Sequence, residues 1–297
     1  MSRPATPADP LPHERHVLFE ALGVSVVDFR CHAQVEPVGP EEPNPTHSIV
    51  FVRRGVFRRT RERDTVVADP NHVLFFNAVQ PYRYSHPLPG GDECTILAVE
   101  THRALELVAR HAPRDAENPE TPFRMGHGLS PLRVARLHYE LLALVRRRGP
   151  ALALEDVLSE LADESVRAVY GTQAARRSSG AASARALRRR RELVQATKLT
   201  INERLESLPS LCDLARFVDC SPFHLSRIFL QTEGVSLRRY TQRLRARVAA
   251  DRLAVGQRDL TDLALDLGFA DHSHFTNAFR QEWGVPPSRF RALVGPR

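Results

Sequence analysis

The chain has 297 residues, 42% of them apolar and 26% charged. That is enough for about two globular domains and too hydrophobic for wholesale disorder. The formal net charge is +7, and no apolar run approaches the roughly 20 residues that span a bilayer, which excludes a membrane-spanning helix.

In chain order, residues 1–12 are polar and Pro-rich, have no apolar signal core, and are expected to be a disordered tail. Short β-prone segments follow, separated by Gly, Pro, Asn and Asp: VSVVDFR, HSIVFVRRGVF, TVVADP, HVLFFN, YRYSHP and CTILAVE. This pattern predicts a compact antiparallel barrel or sandwich, with turns at ADPNHV and HPLPGGDE. The period then lengthens. In SPLRVARLHYELLALVRRR, Leu137, Leu141, Leu144 and Val145 share one helix face. Ser130 reads as the N-cap and Pro131 as the first helical residue. A second helix follows in ALEDVLSELADESVRAVY. This pair either covers the barrel or meets another copy of the chain. The Ser/Ala/Gly-rich run around 171–186 reads as a linker.

Charge is distributed unevenly across that linker. Residues 1–175 carry 20 basic and 23 acidic side chains, whereas residues 176–297 carry 22 and 12. A basic module tethered to an acidic one fits a polyanion partner such as nucleic acid, and equally a solvated basic face.

The basic part contains an internal repeat. LCDLARFVDCSPFHLSRIFLQTEGVSLRRY (211–240) aligns with LTDLALDLGFADHSHFTNAFRQEWGVPPSRF (260–290), the second copy having one extra residue in its central turn. Each copy predicts two short helices around a tight turn, at about 210–234 and 260–284. Ser221-Pro222 and Asp271 suit the start of each second helix, and Gly234 and Gly284 suit its αL stop. Leu225, Ile228 and Phe229, or Phe275, Ala278 and Phe279, face inward at i, i+3, i+4 spacing. The outer face then carries Phe223, Ser226, Arg227 and Gln231 in the first copy, and His272, Ser273, Thr276, Asn277 and Arg280 in the second. This is helix-turn-helix patterning, and those residue types can bond base edges or press on a thymine methyl. Some of them, Ser273 above all, have plainer readings as caps or packing. Between the copies, residues 236–255 predict a helix of roughly 30 Å, close to one turn of B-DNA. Arg239 and Arg243 on it are candidate phosphate contacts, and Leu237, Tyr240, Leu244, Val248 and Leu253 would face the two bundles.

At these residues the sequence resembles the AraC/XylS family of bacterial transcription regulators. SPFHLSRIFLQTEGVS, RLRARVAADRL and DLALDLGFADHSHFTNAFRQEWGVPPSRFR carry the resemblance, which covers about 187–294. Two departures are FVDCS, which lacks the Gly common at the first bend, and Trp283 in place of Phe. More weakly, FVRRGVFRR, DPNHVLFFNAVQPYRYSHP and GGDECTILAVE are similar to the cupin-type sensor of that family. The resemblance implies an α+β chain. A cupin-like sensor or dimerisation barrel with helices would span 13–170, and a double helix-turn-helix domain 187–297. It also implies base contacts from Phe223, Ser226, Arg227, His272, Ser273, Thr276 and Asn277. The partners implied are double-stranded DNA, a small-molecule effector, RNA polymerase and a second copy bound through the N-terminal domain.

The rival chemistries are thinly supported. Cys31, Cys94, Cys212 and Cys220 form no Cys-x-x-Cys pair, so spacing points to free thiols in a reducing cytoplasm and to neither a zinc ribbon nor a disulfide framework. Cys94 and Cys220 are candidate oxidant sensors beside their plainer reading as small packed side chains. The barrel segment has no His-x-His, and His272 and His274 diverge on a helix. No metal, cofactor or enzymatic activity is therefore expected. A cupin metalloenzyme with a DNA-targeting tail and a nonspecific architectural DNA binder are the alternatives. Phe29, His47, Phe51, Tyr82, Tyr84 and His86 are candidates for an effector pocket, or for core packing.

Overall fold

The computed structural model describes residues 13–33, 35, 38–62, 64–176 and 184–295. The tail expected at 1–12 and the run 177–183 lie outside them. The first part comprises β1 (His13–Ala21), β2 (Val24–Cys31), β3 (Glu42–Pro43), β4 (His47–Gly55), β5 (Phe57–Arg61), β6 (Asp64–Ala68), β7 (His72–Phe76), β8 (Pro81–Ser85) and β9 (Asp92–Val99). Helix α1 (Thr101–Ala109), strand β10 (His127–Leu129) and helices α2 (Leu132–Arg146) and α3 (Ala151–Arg176) follow. All six apolar segments marked in the sequence become strands, and HSIVFVRRGVF divides into β4 and β5 at Gly55–Val56.

The strands form two antiparallel sheets, ordered β1-β2-β9-β4-β7-β10 and β3-β8-β5-β6. Among the described residues no ladder joins them, so of the barrel or sandwich expected from the strand pattern the two facing open sheets correspond to the sandwich, and the cupin-like barrel implied by the resemblance is not closed. The turn at Gly55–Val56 carries the chain from one to the other. Strand β4 is buried on both faces, which explains its nearly unbroken apolar run. Val50 and Val52 point between the sheets, beside Phe57, Val66, Phe76 and Tyr82. Ile49 and Phe51 point the other way, into a core with the helices. The domain is thus three layers deep: small sheet, large sheet, helices.

Helix α2 begins at Leu132 with Pro131 as its N-cap, one residue later than the sequence suggested. Ser130 is buried before it and does not cap it. Two faces of α2 are apolar. Val134, Leu137 and Leu141 pack on the large sheet with Leu158 and Leu161 of α3. Ala135, Tyr139, Leu142 and Ala143 belong to a separate core with the C-terminal helices. This second face meets the chain's own C-terminal domain, a partner the sequence reading did not consider.

The C-terminal part contains α4 (Ala184–Glu203), α5 (Leu211–Phe217), α6 (Pro222–Glu233), α7 (Leu237–Ala254), α8 (Leu260–Asp266), α9 (His272–Trp283) and α10 (Pro287–Val294). The described ends of the predicted linker are helical, in α3 and α4. Leu214, Ala215, Leu225, Ile228 and Phe229 form one core with Leu237, Tyr240 and Leu244 of α7. Leu263, Phe275, Phe279, Trp283 and Phe290 form another with Ala246, Ala250 and Leu253 of the same helix. Phe229, Phe275 and Phe279 are fully buried, and each such ring contributes about 1.5–3 kcal/mol.

Candidate nucleic-acid interface

Each helix-turn-helix unit is built by local chemistry. The Ser221 hydroxyl accepts from the His224 amide at 3.2 Å and Pro222 opens α6. The Asp271 carboxylate accepts from the His274 amide at 2.7 Å and opens α9. Gly234 and Gly284 close the two helices in the left-handed region, at φ 79° and 73°. The missing glycine of the first bend is replaced by strain. Asp219 takes φ 53° where its repeat partner Gly268 takes φ 70°, a conformation Asp tolerates better than most residues. At Gly268 a Cβ would lie 2.1 Å from the Glu206 carbonyl oxygen, so only glycine fits there.

With the inner faces buried, the outer faces follow. On α6, Phe223 (78% exposed), Arg227 and Gln231 stand in solvent and Ser226 is half-buried. On α9, His272, Ser273, Asn277 and Arg280 are exposed. Thr276 is half-buried and its hydroxyl is turned inside without a hydrogen-bond partner. His274 stacks its edge on Phe269, 5.4 Å away, and so is separated from His272. Trp283 donates its indole N–H to the Ala246 carbonyl at 3.0 Å, which ties α9 to α7. The 18 residues of α7 span about 27 Å and hold both units as one body.

The arginines of α7 are spent differently from the expectation. Arg239 is partly exposed but bonds Glu282 at 2.9 Å. Arg243, also expected on phosphate, bonds Glu282 at 3.2 Å and the Ser130 carbonyl at 2.6 Å, and is largely covered. Arg247 is buried, donating to the carbonyls of Pro70 (2.9 Å) and Ser130 (2.5 Å). Burial and the neighbouring Arg243 push it down to about 10. The physical reason is that the sheet domain packs against this side of α7, and its turn carbonyls take the guanidiniums.

That packing is organised around a buried polar seam. Asp69, in the β6–β7 turn, accepts from the Tyr240 hydroxyl at 2.5 Å and from the Asn202 amide at 2.9 Å, and bonds His72 Nδ1 at 2.9 Å. Asn71 donates to the Tyr240 carbonyl at 3.1 Å. Lys198 on α4 lies 2.9 Å from His72 Nε2 and 3.5 Å from Glu233. Burial works to raise both carboxyls, yet His72 and Lys198 hold Asp69 far below the usual range, and Lys198 and His72 hold Glu233 down at about 2. Lys198 is the only lysine in the chain, and it is fully buried. Spacing did not reveal this seam, but the repeat held a signal. Glu233 occupies the position that buried Trp283 fills in the second copy, and a charge at a buried repeat position needs a partner.

The six candidate pocket residues are distributed over two cores. Phe29, Tyr82 and Tyr84 border the space between the sheets. Phe51 lies on the opposite face of β4 and stacks on His138 at 4.7 Å. His47 accepts from the Ala78 amide at 3.1 Å, and His86 Nε2 pairs with Asp92 at 2.7 Å. A cavity of about 20 Å³ at the domain seam, lined in part by Phe51, His72, Ser130, His138 and Arg247, has room for about one water.

Residues 214–293 match the model of a helix-turn-helix domain family. The bifunctional transcriptional activator/DNA repair enzyme AdaA of Bacillus subtilis is 32% identical over 89 residues, 30% of this chain and 39% of that protein. Regulatory protein SoxS of Salmonella typhimurium is 27% identical over 100 residues, 34% of this chain and 94% of SoxS. A crystal structure of a transcriptional regulator with an AraC-type DNA-binding domain, from Chromobacterium violaceum, aligns at TM-score 0.34 and 24% identity over 36% of this chain and 96% of that one. The chain spans less than two fifths of the length of the first curated relatives it matches. The C-terminal double helix-turn-helix region of the chain is thus similar to the helix-turn-helix parts of bacterial transcription regulators.

Proposed function

We propose that the chain is a sequence-specific, non-enzymatic DNA-binding transcription regulator acting in the cytoplasm. It reads two successive major grooves with α6 and α9. The observation that carries this reading is the pair of capped helices with polar outer faces on one rigid helix of about 27 Å. Phe223, Ser226, Arg227 and Gln231 serve the first groove, and His272, Ser273, Asn277 and Arg280 the second. The Thr276 methyl can press on a base while its hydroxyl stays inside. Arg239 reaches phosphate by leaving Glu282, and Arg243 does so only if it leaves Glu282 and the sheet domain, with Ser130, withdraws from α7.

The two facing sheets serve as the cupin-type sensor, and the seam at Asp69, Lys198 and Tyr240 transmits its state to α7. An effector at Tyr82 and Tyr84, between the sheets, would act on the β6–β7 turn that carries Asp69. A second copy bound through the sheet domain, and RNA polymerase, complete the partners of such a regulator. No helix among the described residues is long and apolar enough to cross a membrane. Selection of bound fragments from genomic DNA with the purified chain, followed by competition against random DNA, tests the reading. A shared motif with two half-sites one helical turn apart is expected. A specificity ratio near one overturns it.

A further inference from the structure

Side chains from the end of β2, from the residue after β8 and from the start of β9 converge at one end of the sheet domain. Cys31 is the last residue of β2, His86 follows β8, and Asp92 and Cys94 open β9. All four are buried, with 6% or less of each exposed. Cys31 pairs directly with Asp92 across the β2–β9 ladder. One ligand atom each from Cys31, His86 and Asp92 lie within 4.8 Å of one another. The two carboxylate oxygens of Asp92 are both engaged, one by His86 Nε2 at 2.7 Å and one by the Cys94 thiol at 3.0 Å. The GGDEC turn is held rigidly behind them. Gly91 has φ +65°, and a Cβ on it would lie 1.8 Å from the Cys31 carbonyl oxygen. Only glycine lets β9 start this close to the end of β2.

We propose that Cys31, His86 and Asp92, joined by Cys94 once its thiol turns from the Asp92 carboxylate towards them, form a closed binding site for one zinc-like divalent cation. Two thiolates, an imidazole and a carboxylate are a borderline-soft donor set that suits tetrahedral zinc and not calcium or magnesium. Four protein donors fill a tetrahedron and leave no open position for water, so the site is structural or sensory and not catalytic. Donor bonds of about 2.0–2.3 Å fit the span of Cys31, His86 and Asp92, and the Cys94 sulfur must rotate towards the other three to complete the set. Binding displaces the protons that the thiols and the His86–Asp92 pair hold among themselves. The site also has a route to the DNA-binding domain. Glu93, between two of the ligands, bonds Arg54 at 3.1 Å, and Arg54 reaches Asp251 of α7 at 2.9 Å. The rival reading is a metal-free hydrogen-bonded cluster in which Asp92 pairs with the His86 imidazolium and accepts from Cys94. The metal reading does not depend on what the recognition helices bind.

The test uses the reduced full chain, stripped with a chelator and titrated with cobalt(II), then with zinc(II). One equivalent of cobalt should give a thiolate-to-metal charge-transfer band and strong tetrahedral d–d bands, both abolished by one equivalent of zinc. Cys31→Ser and His86→Ala should weaken binding more than about 100-fold, beyond the usual cost of losing an outer-shell partner. The paired change Cys212→Ser and Cys220→Ser should leave it intact. Circular dichroism reports whether each variant is folded, and the wild-type cobalt spectrum stands without any variant. The proposal is overturned by the absence of a charge-transfer band in the wild type, by bands that survive in folded Cys31→Ser, or by bands lost with Cys212 and Cys220. A Cys31–Cys94 disulfide in protein that takes up no metal after reduction also overturns it.

Discussion

At the scale of single residues, the exposed outer faces of α6 and α9 and a buried histidine make separable predictions. Arg227→Ala should cost about 1–3 kcal/mol on the selected DNA site and relax one base preference. Equal loss on random DNA in the same competition assay would mark it as a phosphate contact. His138 is buried between Phe51 and Tyr139, with Nε2 2.8 Å from the Thr95 hydroxyl. Burial, then Arg53 and Arg247, hold it down to about 3 against an ordinary 6.5. Its folded value is depressed, so the unfolded chain binds the extra proton. Stability is therefore full above about pH 6.5 and falls as pH drops towards 3. Between pH 7 and 5 this one group should remove about 2 kcal/mol. His138→Asn should flatten that part of the pH dependence of thermal unfolding, and an unchanged slope would assign the acid sensitivity elsewhere. His138 was invisible in the sequence because its meaning comes from a neighbour 43 positions away. The outer faces of α6 and α9 were legible because they are what remains when i, i+3, i+4 burial is subtracted.

At the scale of elements, the repeat made most of the C-terminal half readable. Caps, stops and inward faces all rest on local chemistry, and Ser221, Asp271, Gly234 and Gly284 act where their residue types suggest. The bend at FVDCS was the uncertain point, and the structure resolves it through the left-handed Asp219. Asp219→Gly should therefore change unfolding stability by no more than about 1 kcal/mol. Gly268→Asp should cost about 2 kcal/mol or more, because its Cβ meets the Glu206 carbonyl as well as an unfavourable φ. Equal effects in chemical denaturation would refute this asymmetry. The sheets were less legible. Alternation and turn residues located the inner strands, but β1, β3 and β10 carry little apolar signal, and strand order follows from contacts distant in sequence. The same distance hid the grouping of Cys31, His86 and Asp92, since ligand spacing rules apply only along one strand or helix.

At the scale of the whole molecule, the two domains are one packed unit, which length and charge did not foretell. The sequence suggested an acidic module, a small-residue linker and a basic module. Instead α2 shares its residues between two cores, and the seam buries an aspartate, a glutamate, a histidine and a lysine. Removing one member leaves the others uncompensated. Lys198→Met should therefore cost about 3–5 kcal/mol in a thermal or urea unfolding experiment. Disrupting the exposed Arg216–Asp213 pair by Arg216→Ala should leave unfolding stability nearly unchanged. Similar losses in the two variants would show the seam to be solvated.

The solitary lysine gives this architecture a chemical handle. Lys198 is fully buried, so while the seam is closed an amine-acylating reagent does not reach it. Acylation of Lys198 itself, located by peptide mapping, would time the parting of the two domains directly. The same isolation shields Lys198 from any modifying enzyme that works through a lysine side chain, except during the moments when the sheet domain and the helical domain come apart.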